Sequence, residues 1–173
     1  LRAGNEALET GDVDLGIGWA GRAPADLYVS KVMERSWCGI VARDHPRISD
    51  RPTVEEYAAE SHAVLTFGRP HETWIFESQI DNALSERNLT RHVAAYGQSV
   101  LMLPEVVASS DLVAMVPTEM AERAVSELVI RTFAPPIELL GGEVAMIWHP
   151  RTHNDSANKW FRNLIRKVAN TLP

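Results

Sequence analysis

A single cysteine, Cys38, in a chain of 173 residues leaves no partner for an internal disulfide. It sits in the apolar run SWCGIVA and reads as a small buried hydrophobe rather than a nucleophile. Basic charge is also short. Seventeen Lys and Arg face 23 Asp and Glu, a net charge of −6. A surface that grips nucleic acid is ordinarily basic, so this stretch does not hold DNA through its own charge. No apolar run approaches membrane-spanning length, and no signal peptide is expected. A reducing, cytoplasmic setting fits this composition. Phosphate-loop, GxGxxG, GxSxG and HExxH motifs are missing, and no Ser/His/Asp set is marked locally. His149 and His153 are four apart, but Pro150 lies between them and no Cys or acidic partner stands at ligand spacing. No metal and no cofactor is expected. Internal repeats and low-complexity tracts are absent too.

What is present is ordinary globular material, 45% hydrophobic and 23% charged, enough for one core or two small lobes. Residues 97–117, GQSVLMLPEVVASSDLVAMVP, anchor the reading. A β-rich run at 91–96 leads in, an apolar run with helical spacing follows, and a short apolar strand at 112–116 closes it. Strand, helix, strand is the unit that builds parallel sheets. Ser99 lies at the polar entry. It reads either as an N-cap worth about 1 kcal/mol or as one contact for an anion at a helix's positive end. Pro104 lacks a backbone donor, so the regular helix can begin there instead.

The rest follows in order. Residues 6–10 are helix-forming, Gly11 is a C-terminal stop, and 12–18 (DVDLGIG) form a buried strand. Trp19, just past that strand, is one wall of an aromatic pocket or a core-edge residue. Strands are expected at 27–33 and 37–42. Thr53 and Glu56 make a capping box for a short helix. Residues 62–66 are a strand ending in Phe67-Gly68-Arg69-Pro70, whose arginine could meet a carboxylate or simply be solvated. A helix at 72–87 carries the stripe Phe76, Ile80, Ala83 and Leu84, with Asn88 as its left-handed cap. Thr118 caps a helix through Ala124, 127–133 is a strand, and Ala134-Pro135-Pro136 is a rigid connector where the chain crosses between lobes. Residues 143–148 are a strand. Asn154 or Asp155 caps a terminal helix whose stripe, Ala157, Trp160, Phe161, Leu164, Ile165 and Val168, is expected to pack on the sheet.

Four phrases carry a resemblance: ALETGDVDLGIG at 7–18, VARDHPRI at 41–48, SSDLVAMVP at 109–117 and EVAMIWHPRTHNDSANKWFRNLI at 143–165. Together, in this order, they resemble the effector-binding (substrate-binding) domain of LysR-type transcriptional regulators, closest to members that sense aromatic compounds. The resemblance covers essentially the whole chain. It implies an α/β, two-lobed fold like a type II periplasmic binding protein, each lobe a mostly parallel sheet flanked by helices. Lobe I would be 1–57 with 137–173, and lobe II 58–136. The family's helix-turn-helix domain, its linker and the first strand of lobe I are not in this sequence, so the natural protein is expected to be longer. The resemblance implies a small, aromatic organic acid effector in the inter-lobe cleft, touching Trp19, Phe67, Gly68, Ser99, Val100, Ile147 and Trp148. Aromatic-sensing relatives often place a histidine near the position of Ser99, and this sequence does not. It also implies a homo-oligomer, dimer or tetramer, with promoter DNA held only through the missing domain, and no membrane partner. A solute-binding protein for uptake shares the fold and is the alternative. An enzyme on this scaffold would need a convergent catalytic set, and none is seen.

Overall fold

The computed structural model describes residues 2–19, 24–66, 75–139 and 142–171; the side chains of residues 2–5, Trp19 and Ile75 lie outside that description. Contacts divide the chain into two units, Leu1–Arg35 with Gly141–Pro173, and Ser36–Leu140. The expected lobe boundary fell at 57/58. The difference has a simple cause: strand Trp37–Ala42 pairs on both edges with strands of the second unit.

Unit 1 opens on α1 (Arg2–Thr10). Gly11 ends it at φ +93, and the Gly11 and Val13 amides both donate to Ala7 O, at 3.1 and 3.0 Å. A left-handed φ is cheap only without a Cβ, so the stop is the one the sequence announces. Three strands follow in the unit: β1 (Gly16–Trp19), β2 (Tyr28–Arg35) and, from the far end of the chain, β8 (Gly142–Trp148). β8 lies between β1 and β2, and both pairings are antiparallel. Strand alternation puts Ile147 on one face and Met146 and Trp148 on the other. Leu8 of α1 packs with Leu27 and Ile147 on the first face.

The terminal helix α6 (Ser156–Ala169) starts at Asp155, whose carboxylate accepts from Asn158 N at 2.7 Å. It covers the Trp148 face, though not as its stripe led one to expect. Asn158 and Arg162 are buried, while Trp160 is 66% exposed and Phe161, Leu164 and Val168 are exposed as well. Arg162 Cζ sits 4.5 Å over the Trp148 ring, and Arg166 Nη2 donates to Ser30 Oγ at 3.0 Å. The polar side of the helix faces the sheet and the apolar stripe faces away. Helical spacing fixes which residues share a face; it does not fix which face turns inward.

Unit 2 holds β3 (Trp37–Ala42), α2 (Val54–Ala58), β4 (Ser61–Leu65), α3 (Ile75–Ser85), β5 (His92–Gly97), α4 (Leu103–Ala108), β6 (Ala114–Pro117), α5 (Thr118–Glu127) and β7 (Ile130–Phe133). β3 is antiparallel to β6 and to β7, and β4 is parallel to β5. A parallel bridge between His62 and Val113 joins the two pieces, with Ala63 N on Val113 O and Val113 N on Ser61 O, both 2.9 Å. The sheets are thus mixed where mostly parallel ones were expected, and the strand–helix–strand unit from β5 to β6 flanks β4 on both sides.

Local signals in unit 2 act as read. Thr53 Oγ1 accepts from Glu56 N (3.1 Å) and Glu56 Oε2 from Thr53 N (2.8 Å), a complete capping box. Asn88 takes φ 56 after α3, and Leu89 N donates to Leu84 O at 2.9 Å. Phe76, Ile80 and Leu84 are buried beneath that helix. Thr118 departs from its expected role. It is the first residue of α5 rather than its cap; its amide donates to Ser36 O at 3.0 Å and its hydroxyl accepts from Ser36 Oγ at 2.8 Å. The histidine of VARDHPRI is structural. Its Nδ1 accepts from Ile48 N at 3.1 Å, which leaves Nε2–H to donate to Asp111 O at 3.1 Å.

Candidate functional site

In parallel α/β sheets the C-terminal strand ends, where chains turn into helices, are where ligands gather. Unit 2 has two such ends side by side. Leu65 of β4 is level with Gly97 of β5, and Thr66 N donates to Gly97 O at 2.8 Å. Beyond Thr66 lie Phe67 and Gly68, expected ligand residues that fall outside the described residues. Beyond Gly97 comes Ser99, in extended conformation at φ −124, ψ 123.

Ser99 heads a 3-10 turn, Val100–Met102, and α4 follows from Leu103 with Pro104 in its first turn. The proline therefore does shift the regular helix downstream. Met102 N closes the turn on Ser99 O at 3.2 Å, but the Ser99 side chain makes no capping hydrogen bond. The simple N-cap reading is thereby removed. A half-buried hydroxyl is left at a strand end, beside the first N–H groups of a helical turn, which lack intrahelical partners. Val100 is half-buried next to it, and Leu101 and Met102 are exposed.

The other expected residues belong to unit 1. Trp19 ends β1 opposite Val144, with its side chain outside the description. Ile147 is buried against Leu8 and Leu27. Trp148 is only 5% exposed. Its indole Nε1–H donates to His153 Nδ1 at 3.3 Å, so that ring nitrogen carries no proton. Tyr28 stacks on His153 at 4.1 Å and more offset on Trp148 at 5.7 Å. Arg162 Nη2 donates to His153 O at 2.9 Å, and Arg162 also bonds Asn158 Oδ1. Trp148 thus has its hydrogen-bond donor and much of its ring already engaged within the unit. Tyr28 was missed because its partners, Trp148 and His153, are far away in sequence; Arg162 lies near its own partners, Asn158, His153 and Trp148, but no motif marks it for an inward role.

Among the described residues no three His, Cys, Asp or Glu side chains group as metal ligands. Burial pushes the Cys38 thiol up to about 11, which keeps it protonated at neutral pH. Cys38 lines an open cavity of ≈ 500 Å³ with Asp50, Arg131 and Phe133, which includes none of the expected ligand residues. Arg131 there is committed to Ile48 O, Arg43 O and Asp50.

Comparison with known proteins bears on family and fold. A family model, the LysR substrate binding domain, matches residues 2–170. The HTH-type transcriptional regulator SyrM of Rhizobium meliloti is 31% identical over 164 residues, covering 95% of this chain and 49% of its own length. The chain thus spans about half the length of the full-length regulators it matches. The probable transcriptional regulator PA0477 of Pseudomonas aeruginosa superposes at a TM-score of 0.80 with 24% identity, over 94% of this chain and 52% of that one. The effector binding domain of QuiR, solved with shikimate, gives a TM-score of 0.75 at 13% identity, over 98% of this chain and 78% of that one. These relatives are regulators rather than enzymes. No helix among the described residues is long and apolar enough to cross a membrane. The chain belongs to the LysR substrate-binding domain family.

Proposed function

We propose that this domain is the sensor of a LysR-type transcriptional regulator and that its effector is a small organic acid, aromatic rather than aliphatic. The observation that carries the reading is Ser99: a half-buried hydroxyl with no capping bond, at a strand end level with a second strand end. The carboxylate would meet that hydroxyl and the neighbouring turn amides, Val100 included. The family resemblance further implies Trp19, Phe67, Gly68, Ile147 and Trp148 as residues of the ligand site. QuiR's domain, of the same fold, is solved with shikimate, the anion of a small cyclic acid. The ligand acts by differential affinity for two arrangements of a homodimer or tetramer, and through it the cytoplasmic protein's promoter-bound helix-turn-helix domains.

The test is a thermal-shift screen of aromatic and aliphatic carboxylates. A ligand that binds only the folded state raises Tm by mass action; at a hundredfold excess over Kd the gain is about 2.7 kcal/mol. A shift with one acid that Ser99→Ala removes supports the reading. A shift that Ser99→Ala leaves intact moves the site elsewhere, and no shift with any acid in a folded protein sinks the ligand class.

A further inference from the structure

The end of β4 is held by a buried ion pair. Glu77, in the first turn of α3, is 1% exposed; its Oε1 accepts from Leu65 N at 3.2 Å and its Oε2 from Arg91 Nη2 at 2.8 Å. The Arg91 side chain is 3% exposed, and its Nε donates to Asp81 Oδ1 at 2.8 Å while Nη2 also reaches Glu77 O at 3.3 Å. One carboxylate therefore joins three pieces: helix α3, the last residue of β4, and the residue just before β5. Leu65 is itself buried, so its N–H depends on this acceptor. The pair looks out of place as a source of stability. Desolvating two charges offsets much of their attraction, and apolar replacements of such pairs are often neutral or better. What a directional, charge-assisted contact supplies instead is geometry.

We propose that Glu77 and Arg91 are positioning residues for the strand-end ligand site, holding the end of β4 in register with β5 so that Thr66 and the turn at Ser99 stand at a fixed separation. This rests on the reading of Ser99 given above. The residues touch no ligand; they act through the Leu65 amide. Their sequence positions, on a helix and just outside a strand, belong to none of the four motifs that mark the family resemblance.

Hydrogen exchange resolved by residue tests the positioning directly. The protein is compared with Glu77→Gln, which keeps an acceptor for Leu65 N, and with Glu77→Leu/Arg91→Met, which removes acceptor and both buried charges together; Asp81, which also loses Arg91, is half exposed and stays solvated. Exchange at Leu65 and Thr66 is read relative to Ile40 and Val41 of β3, which report global opening. The expected result is a local increase of about tenfold or more in the double variant and less than about threefold in Glu77→Gln. The same order is expected for loss of affinity toward benzoate by calorimetry. Equal change at Leu65 and at β3, or equal change in the two variants, would overturn the proposal; should the double variant not fold, a tenfold local rise in Glu77→Gln would do the same. Wild-type protein that ignores benzoate removes the ligand reading alone, since the exchange pattern still decides whether the pair sets the strand end.

Discussion

Helices α3 and α4 of unit 2 and helix α6 of unit 1 are seated in opposite senses. In unit 2, α3 buries Phe76, Ile80 and Leu84, and α4 buries Leu103 and Val107 against its sheet. In unit 1, α6 turns Asn158, Arg162 and Arg166 toward the sheet and leaves Trp160, Phe161, Leu164 and Val168 in the open. Unit 2 thus draws its cohesion from apolar burial, roughly 1.5–3 kcal/mol per large side chain. Around α6, unit 1 relies on a hydrogen-bonded guanidinium lying on an aromatic plane, where each contact is worth about 1 kcal/mol or somewhat more. An apolar stripe says that a helix has an apolar partner. It does not say that the sheet beneath is that partner.

The sharpest way to break the comparison is to overfill unit 2. A Cβ at Gly39 would sit 2.0 Å from Phe133 Cζ, and Phe133 is itself buried on β7. Gly39→Ala is expected to cost about 3 kcal/mol, at the upper end for overpacking. The check is a lower urea midpoint with an unchanged slope. Adding Phe133→Leu should return part of the loss. A tolerated alanine would mean that unit 2 is as loosely filled as the outer side of α6.

Next in size is Arg162. Arg162→Met removes the donor to His153 O and uncovers one approach to Trp148, so about 2 kcal/mol should be lost. That a charged residue on a stripe-bearing helix matters more than its apolar stripe is the point at issue, and thermal unfolding reads it.

Local chemistry was legible in the chain, and tertiary choice was not. Gly11, Asn88, Asp155 and the Thr53–Glu56 box were readable because each acts within a few residues of itself. The parallel unit around Ser99 was readable because a helix between two strands forces the return. Three things could not be read. The inward face of α6 depends on Trp148 and Ser30, brought there by other segments. β3 joined unit 2 because its edges meet β6 and β7, which lie more than seventy residues onward. Glu77 and Arg91 carry no spacing signal, since helix and strand geometry join them only once β4 stands between. At the candidate site, Ser99 drew notice by its position alone; the contact of Trp148 with Tyr28 was hidden in a distant part of the sequence, while His153 and Arg162 lie near Trp148 in the chain but carry no motif that marks them.

A third prediction concerns pH and lies within unit 2. His62 is fully buried on β4, its Nε2–H donating to Tyr57 O at 3.0 Å. Burial, helped by the Arg91 charge, pulls its pKa down to about 3 from an ordinary 6.5. The folded ring is then neutral across a window in which the unfolded ring is protonated. The unfolded state binds the extra proton, so stability is full above pH 6.5 and falls as pH drops toward 3, by up to about 1.4 kcal/mol per pH unit. His62→Gln should flatten that part of the profile. The comparison to make is the difference between wild type and variant at pH 7.5 and 5.5. Burial also raises the Glu77 carboxyl, against the pull of Arg91 and the Leu65 amide, and a raised acid favours the folded state at low pH. The two groups therefore oppose each other in the total, and only the difference isolates the histidine.

The smallest effect expected is the most informative about unit 1. Trp160 and Val168 lie on the exposed side of α6, at 66% and 51%. If water is their neighbour, Trp160→Gln and Val168→Gln remove no burial, and each should change stability by less than about 0.5 kcal/mol. Helix propensity adds little, since Gln ranks with the better helix formers. Both changes should lower any tendency of the protein to self-associate, because they shrink an exposed apolar patch. Chemical denaturation with light scattering on the same samples reads both quantities. A loss above about 1 kcal/mol in either variant would show that the stripe is covered in solution; the contrast between the units would then lie in what covers α6, and its stripe would have found its apolar partner away from the sheet.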